Sequence, residues 1–107
     1  MADYSKLHEL GFSQTAALCY GALIESGTSS LSRVVENMQK PRASVHRALK
    51  QLEGKGFATS HKNSTYPTLY RAVPISQAIE NLAVYHRRQL KQIIEEQAAT
   101  AIRRKLK

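Results

Sequence analysis

The chain has 107 residues, a formal net charge of +8 and a sequence pI near 9.9. This length suits one domain with one modest core, and a hydrophobic content of 42% is too high for a disordered chain. A single cysteine excludes an internal disulfide and a cysteine zinc cluster, and no apolar run is long enough for a membrane span or a signal peptide. Large enzymes, secreted scaffolds and transporters are therefore disfavoured.

The first helical signals lie between residues 5 and 27. A short helix is predicted over 5–10. Ser13 is suited to cap a longer helix that runs to about residue 26, and Gly27 is suited to end it. Apolar residues recur within this segment at spacings of three and four, which places them on one helical face.

Two further helices are predicted in the middle of the chain. The polar residues 28–30 precede a helix over 31–38. A break follows, because the residue before Pro41 avoids the α conformation. Pro41 itself suits the first turn of a helix over 41–54. Two short helices joined by a tight turn are the pattern of a helix-turn-helix.

The second half of the chain predicts a hairpin and one long helix. The runs 57–61 and 68–73 are rich in residues that favour strands, and the polar stretch 62–67 between them favours a turn. No Gly or Pro occurs over 75–105, and good helix formers dominate there. A helix of this length spans roughly 46 Å, more than so small a domain can enclose.

These elements predict a mainly α fold with a small β-hairpin. In this order they form a winged helix-turn-helix followed by a long C-terminal helix. We expect residues 1–74 to form a DNA-binding domain and residues 75–107 to form a dimerisation helix.

The positive charge is concentrated in the middle of the chain. Residues 1–30 carry a net charge of −2, residues 31–71 carry +6 and residues 72–107 carry +4. A polyanion is therefore expected to bind the middle segment. The alternative is a surface that is basic only for solubility.

The predicted helix 41–54 has one apolar face and one polar, cationic face. Val45, Leu49 and Leu52 form the apolar stripe, which is expected to lie in the core. An α-helix fits the major groove of DNA, where Arg can bind guanine and Gln can bind adenine. Hydroxyl groups near the start of a helix suit phosphate oxygens. The candidate DNA-binding residues of this helix are Arg42, Ser44, His46, Arg47, Lys50 and Gln51.

The predicted wing, residues 61–67, supplies two further candidates. Lys62 and Asn63 lie in its polar tip, where they can reach phosphates or the minor groove.

The alternative for the helix 41–54 is an ordinary solvated face, and a lone histidine such as His46 is more often a surface residue than a functional one. Cys19 lies among apolar positions, so we expect burial rather than redox sensing.

Several stretches resemble TrmB-like winged-helix transcription regulators of archaea and bacteria. They are LGFS at 10–13 with Ala17, Tyr20, Ala22 and Leu23 after it, PRASVHRAL at 41–49, LEGKGF at 52–57 and YRAVP at 70–74. The resemblance covers about residues 7–83. Gln39 and Lys40 depart from it, because such proteins more often have Gly and an apolar residue there.

The resemblance implies a dimeric DNA-binding regulator with the 41–54 helix as recognition helix. We therefore expect double-stranded DNA as the partner and a cytoplasmic, nucleoid-associated location. The sugar-binding domain that some of these regulators carry does not fit in this length, so a sugar effector is not implied.

The long helix carries a stripe with an 11-residue repeat, or about 3.67 residues per turn, which favours nearly straight helix pairing. We expect Ile75, Ile79 and Leu82 to pack on the helical body. The rest has no partner within the chain, so we predict a homodimer rather than a solvated single helix. The candidate dimerisation residues are Leu82, His86, Leu90, Ile93, Gln97 and Ala101.

Other function classes find little support in the sequence. P-loop, GxGxxG, HExxH and GxSxG motifs are absent, and the four histidines lack metal-ligand spacing. We therefore expect no catalysis, no cofactor, no metal and no membrane binding. Two alternatives stay open: a winged helix that binds an acidic protein, and an architectural protein that binds DNA without sequence preference.

Overall fold

The computed structural model of the chain describes residues 4–62, 64 and 67–105. A short 3-10 helix, Ser5–Leu10, comes first. The elements that follow are α1 (Gln14–Ser26), β1 (Ser29–Ser30), α2 (Leu31–Met38), α3 (Arg42–Gly54), β2 (Ala58–His61), β3 (Leu69–Ala72) and α4 (Ile75–Lys105). The predicted fold class is confirmed, and each predicted helix has observed bounds within one residue of the prediction.

Local hydrogen bonds explain where the first helices begin and end. The Ser13 hydroxyl accepts from the backbone N–H of Ala16 at 3.1 Å and caps α1. Gly27 ends α1 at a φ of 76°, a conformation that glycine adopts without strain. The Ser30 hydroxyl accepts from the N–H of Arg33 at 3.3 Å and caps α2. The capping signals in the sequence therefore act as predicted.

The turn between α2 and α3 depends on a left-handed residue. Gln39 has a φ of 52° and donates its backbone N–H to the carbonyl of Val35 at 2.8 Å. Among the described residues it is the one non-glycine with positive φ. Pro41 then precedes α3 with an extended ψ of 138°. The departure from glycine at residue 39 thus leaves the turn intact but places a side chain in an unfavourable conformation.

Aromatic rings hold the centre of the core together. Phe57 lies 4.7 Å from Phe12 and 5.5 Å from Tyr20, measured between ring centroids. The Tyr20 hydroxyl donates to the carbonyl of Val73 at 2.6 Å. Cys19 is fully buried, as predicted, and burial raises the pKa of its thiol to about 12.

The sheet has one more strand than the sequence predicted. Its order is β1-β3-β2, with both pairs antiparallel. β1 is only two serines long, so it has no apolar alternation that could have revealed it. Ser29 pairs with Tyr70, and its buried hydroxyl donates to the carbonyl of Gly27 at 3.0 Å. The sheet therefore connects the start of α2 to the hairpin formed by β2 and β3.

The helix α4 joins the body through one face of its first three turns. Ala78 and Leu82 are buried there, and Tyr85 packs against the core from the edge. The Asn81 side chain donates from Nδ2 to the carbonyl of Gly56 at 2.7 Å. Beyond Tyr85, every described side chain of α4 is exposed.

One expectation about this helix is wrong. Ile75 and Ile79 do not pack on the body, since they are 40% and 45% exposed. Ala78 takes their place, and the packed face runs through Ala78, Leu82 and Tyr85 at spacings of four and three. A small residue allows the helix to approach the body closely, so the face with alanine is the one that packs.

Candidate DNA-binding surface

The two faces of α3 separate core from solvent. Val45, Leu49 and Leu52 are buried, as predicted, and Ala48 joins them. Four cationic or titratable side chains stand on the opposite face and are all exposed: Arg42, His46, Arg47 and Lys50. The apolar stripe fixes the helix on the body, so that the cationic side chains between Arg42 and Lys50 face solvent.

Arg42 and His46 line a hollow at the start of α3. The hollow also includes Ser32 from α2 and Thr68 from the edge of the wing. Arg42 donates from Nη1 to the Ser32 hydroxyl at 3.2 Å. The guanidinium of α3 thus contacts α2, and among the described residues its other N–H groups have no hydrogen-bond partner.

Ser44 and Arg47 line a second hollow on the other side of α3. Thr15 and Ser13, at the start of α1, form its opposite wall. Ser44 is half-buried, whereas Arg47 is exposed. Hydroxyl and guanidinium groups that face one hollow match the acceptor oxygens of a phosphate or of a base edge.

Lys50 is linked through Glu53 to Ser60 on β2. Its Nζ lies 3.6 Å from Oε1 of Glu53. The Ser60 hydroxyl on β2 donates to Oε2 of the same carboxylate at 3.0 Å. Oε1 is buried and accepts no hydrogen bond within the described part of the chain. Glu53 was not among the predicted site residues, because a single carboxylate on a basic helix carries no motif.

Gln51 and Lys55 fix the C-terminal half of α3 to the loop before α1. Gln51 accepts from the N–H of Ser13 at 3.1 Å and donates to the carbonyl of Gly11 at 3.3 Å. Lys55 donates to the same carbonyl at 3.2 Å, and its Nζ lies 4.6 Å from the centre of the Phe12 ring. The Gln51 amide is therefore engaged with the protein backbone, and its contact with DNA stays a prediction.

The structure describes one of the two candidate residues of the wing. Lys62 follows β2 and is exposed. Asn63, the other candidate, lies outside the described residues. The strands β2 and β3 align Ser60 with Tyr70 and His61 with Leu69. Thr68, just before β3, lines the same hollow as Arg42 and His46 at the start of α3.

The candidate dimerisation residues fall into two groups. Leu82 is buried against its own chain, so it supports the body rather than a free surface. The other five stand exposed on one face of α4, and we call them the tail stripe: His86, Leu90, Ile93, Gln97 and Ala101. Leu90 is 60% exposed and Ile93 is 53% exposed.

This fold and this surface define the class: a winged-helix fold of DNA-binding transcriptional regulators. Residues 7–76 match the family model described as sugar-specific transcriptional regulator TrmB. The match spans more than half of the chain, so the chain belongs to the TrmB family. Members of this class are not enzymes. A comparison with curated proteins finds no match.

Solved structures with the same fold include regulators from several groups. TrmBL2, described as an archaeal chromatin protein with a novel mode of DNA binding, is 21% identical with a TM-score of 0.71 over 92% of this chain. A MarR-family regulator from Silicibacter pomeroyi is 16% identical with a TM-score of 0.60, over 95% of this chain and 75% of its own. MepR from S. aureus, solved as a point mutant bound to an oligodeoxyribonucleotide, is 13% identical with a TM-score of 0.59, over 97% and 84%.

The chain spans about two fifths of the length of TrmBL2, 39%. At these identities the likenesses show the fold alone. Within the described ranges, no helix is long and apolar enough to cross a membrane, and no group of three or more His, Cys, Asp or Glu side chains is placed to hold a metal ion.

Proposed function

We propose that this protein is a sequence-specific regulator of transcription that binds double-stranded DNA as a homodimer. In this proposal α3 enters the major groove, and the wing, residues 61–67, meets the backbone or the minor groove. The observation that carries the proposal is the outer face of α3, on which the cationic side chains between Arg42 and Lys50 are exposed while the apolar inner face is buried.

The proposed contacts differ in kind. Arg42, His46, Arg47 and Lys50 contact base edges or nearby phosphates, because they stand on the exposed face of α3. Ser44 contacts a phosphate from the first turn of the helix. Lys62 and Asn63 hold the backbone from the wing. Gln51 contributes by fixing α3 against Gly11 and Ser13. Its amide can contact DNA only if it gives up these hydrogen bonds.

The proposed dimer forms through the tail stripe. A single solvated helix is marginally stable in water, and the stripe leaves Leu90 and Ile93 more than half exposed. Pairing with a second copy covers both side chains. A two-fold symmetric dimer also matches DNA whose half-sites are one helical turn, about 34 Å, apart.

The experiment compares two alanine variants on two kinds of DNA. Arg47→Ala should weaken binding to a selected site by about five- to 150-fold, with a smaller loss on random duplex, because a good base contact is worth about 1–3 kcal/mol. Lys62→Ala should weaken binding to all sequences by the same factor and flatten the salt dependence by about one charge. Lys6→Ala removes an exposed cation from the 3-10 helix, which is part of neither α3 nor the wing, and is the matched control. Equal losses on both DNAs for both variants would contradict these roles.

A second candidate function follows from the likeness to TrmBL2. Because that protein is described as a chromatin protein, an architectural role without sequence preference is the alternative. Salt-dependent binding that enriches no sequence from a random pool would favour it. Failure to bind DNA at moderate salt would instead favour a winged helix that binds an acidic protein.

A further inference from the structure

Two hollows flank α3, and each holds one arginine beside hydroxyl groups. The hollow on the α2 side contains Arg42 among serine and threonine side chains. The hollow on the α1 side contains Arg47 with the hydroxyl groups of Thr15 and Ser44. A helix that enters the major groove has one sugar–phosphate backbone on each side, across a groove about 12 Å wide. The two hollows therefore match the two strands that border a groove occupied by α3.

We propose that the hollow between α1 and α3 binds one phosphate of the DNA backbone, and that Thr15 is the contact from α1. Ser44 donates a second hydroxyl group from α3, and Arg47 supplies the positive charge. This inference rests on the DNA binding of the proposed function. It adds Thr15 to the interface, and with it a helix outside the helix-turn-helix and the wing.

The chemistry of the hollow selects an anion. A guanidinium only donates hydrogen bonds, and a hydroxyl group can turn its hydrogen towards an incoming oxygen. Among the described residues, the side chains of Thr15, Ser44 and Arg47 have no hydrogen-bond or ion-pair partner. No carboxylate stands in the described lining of the hollow. A phosphate oxygen thus meets three unengaged donors, whereas a cation would meet no opposite charge.

Arg47 can serve the phosphate and a base at the same time. Its side chain is exposed, and its guanidinium carries five N–H groups in a planar fork. One edge of the fork binds the phosphate in the hollow while the remaining N–H groups reach a base edge. The base contact of the proposed function is therefore kept, and Thr15 holds the backbone beside it.

Hydrogen bonds of the loop before α1 fix Thr15 relative to α3. Gln51 accepts from the N–H of Ser13 at 3.1 Å and donates to the carbonyl of Gly11 at 3.3 Å. Lys55 donates to the same carbonyl at 3.2 Å. Because Ser13 caps α1, these bonds hold the first turn of α1 against α3. Donors that are fixed before binding lose less conformational entropy on binding, so Gln51 acts as a positioning residue for the hollow.

Thr15→Val in the full chain tests the contact by titration against a random-sequence duplex at two salt concentrations. Valine keeps the shape of threonine without the hydroxyl group, so we expect binding to weaken about five- to tenfold, as the loss of one hydrogen bond predicts. The salt dependence should not change, since no charge is removed. Thr15→Ser keeps the hydroxyl group and should bind as the wild type does. Thr28→Val is the matched control, because Thr28 is exposed and lines a hollow that includes no residue of α3.

A double-mutant cycle with Arg47→Ala shows whether the two side chains bind the same phosphate. Arg47→Ala alone should flatten the salt dependence on random duplex by about one charge. Thr15→Val should then weaken binding less in the R47A background than in the wild type, because side chains that share a partner do not act additively.

Each other outcome overturns a defined part of the account. Binding of T15V equal to that of T28V would overturn this inference and leave the proposed DNA binding standing. A loss that is equally large in the wild-type and R47A backgrounds would overturn the shared phosphate. A loss that T15S shows as well would overturn the role of the hydroxyl group. A wild-type chain that binds no duplex at moderate salt would overturn the proposed function itself.

Discussion

The Ser60 hydroxyl on β2 donates a 3.0 Å hydrogen bond to the carboxylate of Glu53 on α3. The helix α3 and the strand β2 are thereby joined by a side-chain contact in addition to the core. The same carboxylate lies 3.6 Å from Lys50 Nζ, so it also places one negative charge within the basic surface. Glu53 therefore affects the candidate DNA-binding surface in two ways: it fixes α3 against β2, and it lowers the positive charge beside Lys50.

Replacing Glu53 by Gln should strengthen binding to any duplex DNA. The substitution removes a negative charge next to Lys50 and keeps an acceptor for Ser60. Because Lys50 is about half exposed and Glu53 about a quarter exposed, the ion pair is worth at most about 1 kcal/mol. We therefore expect a gain of up to about five-fold on random and selected DNA alike, measured by titration. Ser60→Ala is the control, because it breaks the hydrogen bond without a change in charge. Weaker binding of E53Q would show that the carboxylate has a positive role in recognition.

Gly56→Ala should destabilise the fold where α4 meets the body. Gly56 has a φ of 81°, and a Cβ there would lie 2.5 Å from Cβ of Asn81. Strain at such a position and the displacement of Asn81 together should lower the free energy of unfolding by about 2 kcal/mol, measured by urea denaturation. Gly54→Ala provides the contrast, since that position is open and helical, and alanine there should be neutral or stabilising. Equal stability of G56A and wild type would contradict the packing described here.

Gln39→Gly should stabilise the turn of the helix-turn-helix. Gln39 has a φ of 52°, and a side chain in the left-handed region costs roughly 1 kcal/mol. Because glycine also makes the unfolded chain more flexible, we expect the free energy of unfolding to rise by only about 0.5 kcal/mol in denaturant titrations. Gln39→Val is the opposite control, because a β-branched residue tolerates this conformation least. If glycine lowers the stability, the turn does not depend on this backbone conformation.

Alkaline pH should destabilise the protein through Cys19. The pKa of its thiol is raised by burial from 9.0 to about 12, so the unfolded chain releases this proton before the folded chain does. The stabilisation is present below pH 9 and is lost as the pH rises from 9 towards 12, at up to about 1.4 kcal/mol per pH unit. Tyr20, whose pKa is raised to about 12 chiefly by burial, adds to the loss above pH 10.

Urea denaturation of the wild type and of Cys19→Ala at about pH 8, 9 and 10 measures this effect. The difference in slope between the two proteins isolates the thiol from the many surface lysines. A wild-type protein whose stability falls no faster than that of the variant would contradict burial of the thiol.

The sequence predicted the helices well because their signals are local. Ser13, Ser30 and Pro41 mark helix starts, and the long run without Gly or Pro marks α4. It could not predict β1, since Ser29 and Ser30 become a strand only through pairing with β3. It also misjudged which face of α4 packs, because Ile75 and Ala78 are both apolar and only the tertiary approach selects between them.

The candidate surface was predictable in part for the same reason. The exposed face of α3 follows from helical periodicity, and Arg42, His46, Arg47 and Lys50 lie on it. The engagement of Gln51 with Gly11 and Ser13 involves residues 38 to 40 positions apart in sequence, and no local pattern reveals such contacts.

The central claim is that this chain binds DNA through α3 and reads its sequence. Titration of the wild-type protein against random duplex and against a pool of selected sites, at two salt concentrations, tests it most directly. The account predicts salt-dependent binding by a dimer, with enrichment of a two-fold symmetric sequence whose half-sites are about one helical turn apart. No binding to either DNA at moderate salt would contradict it.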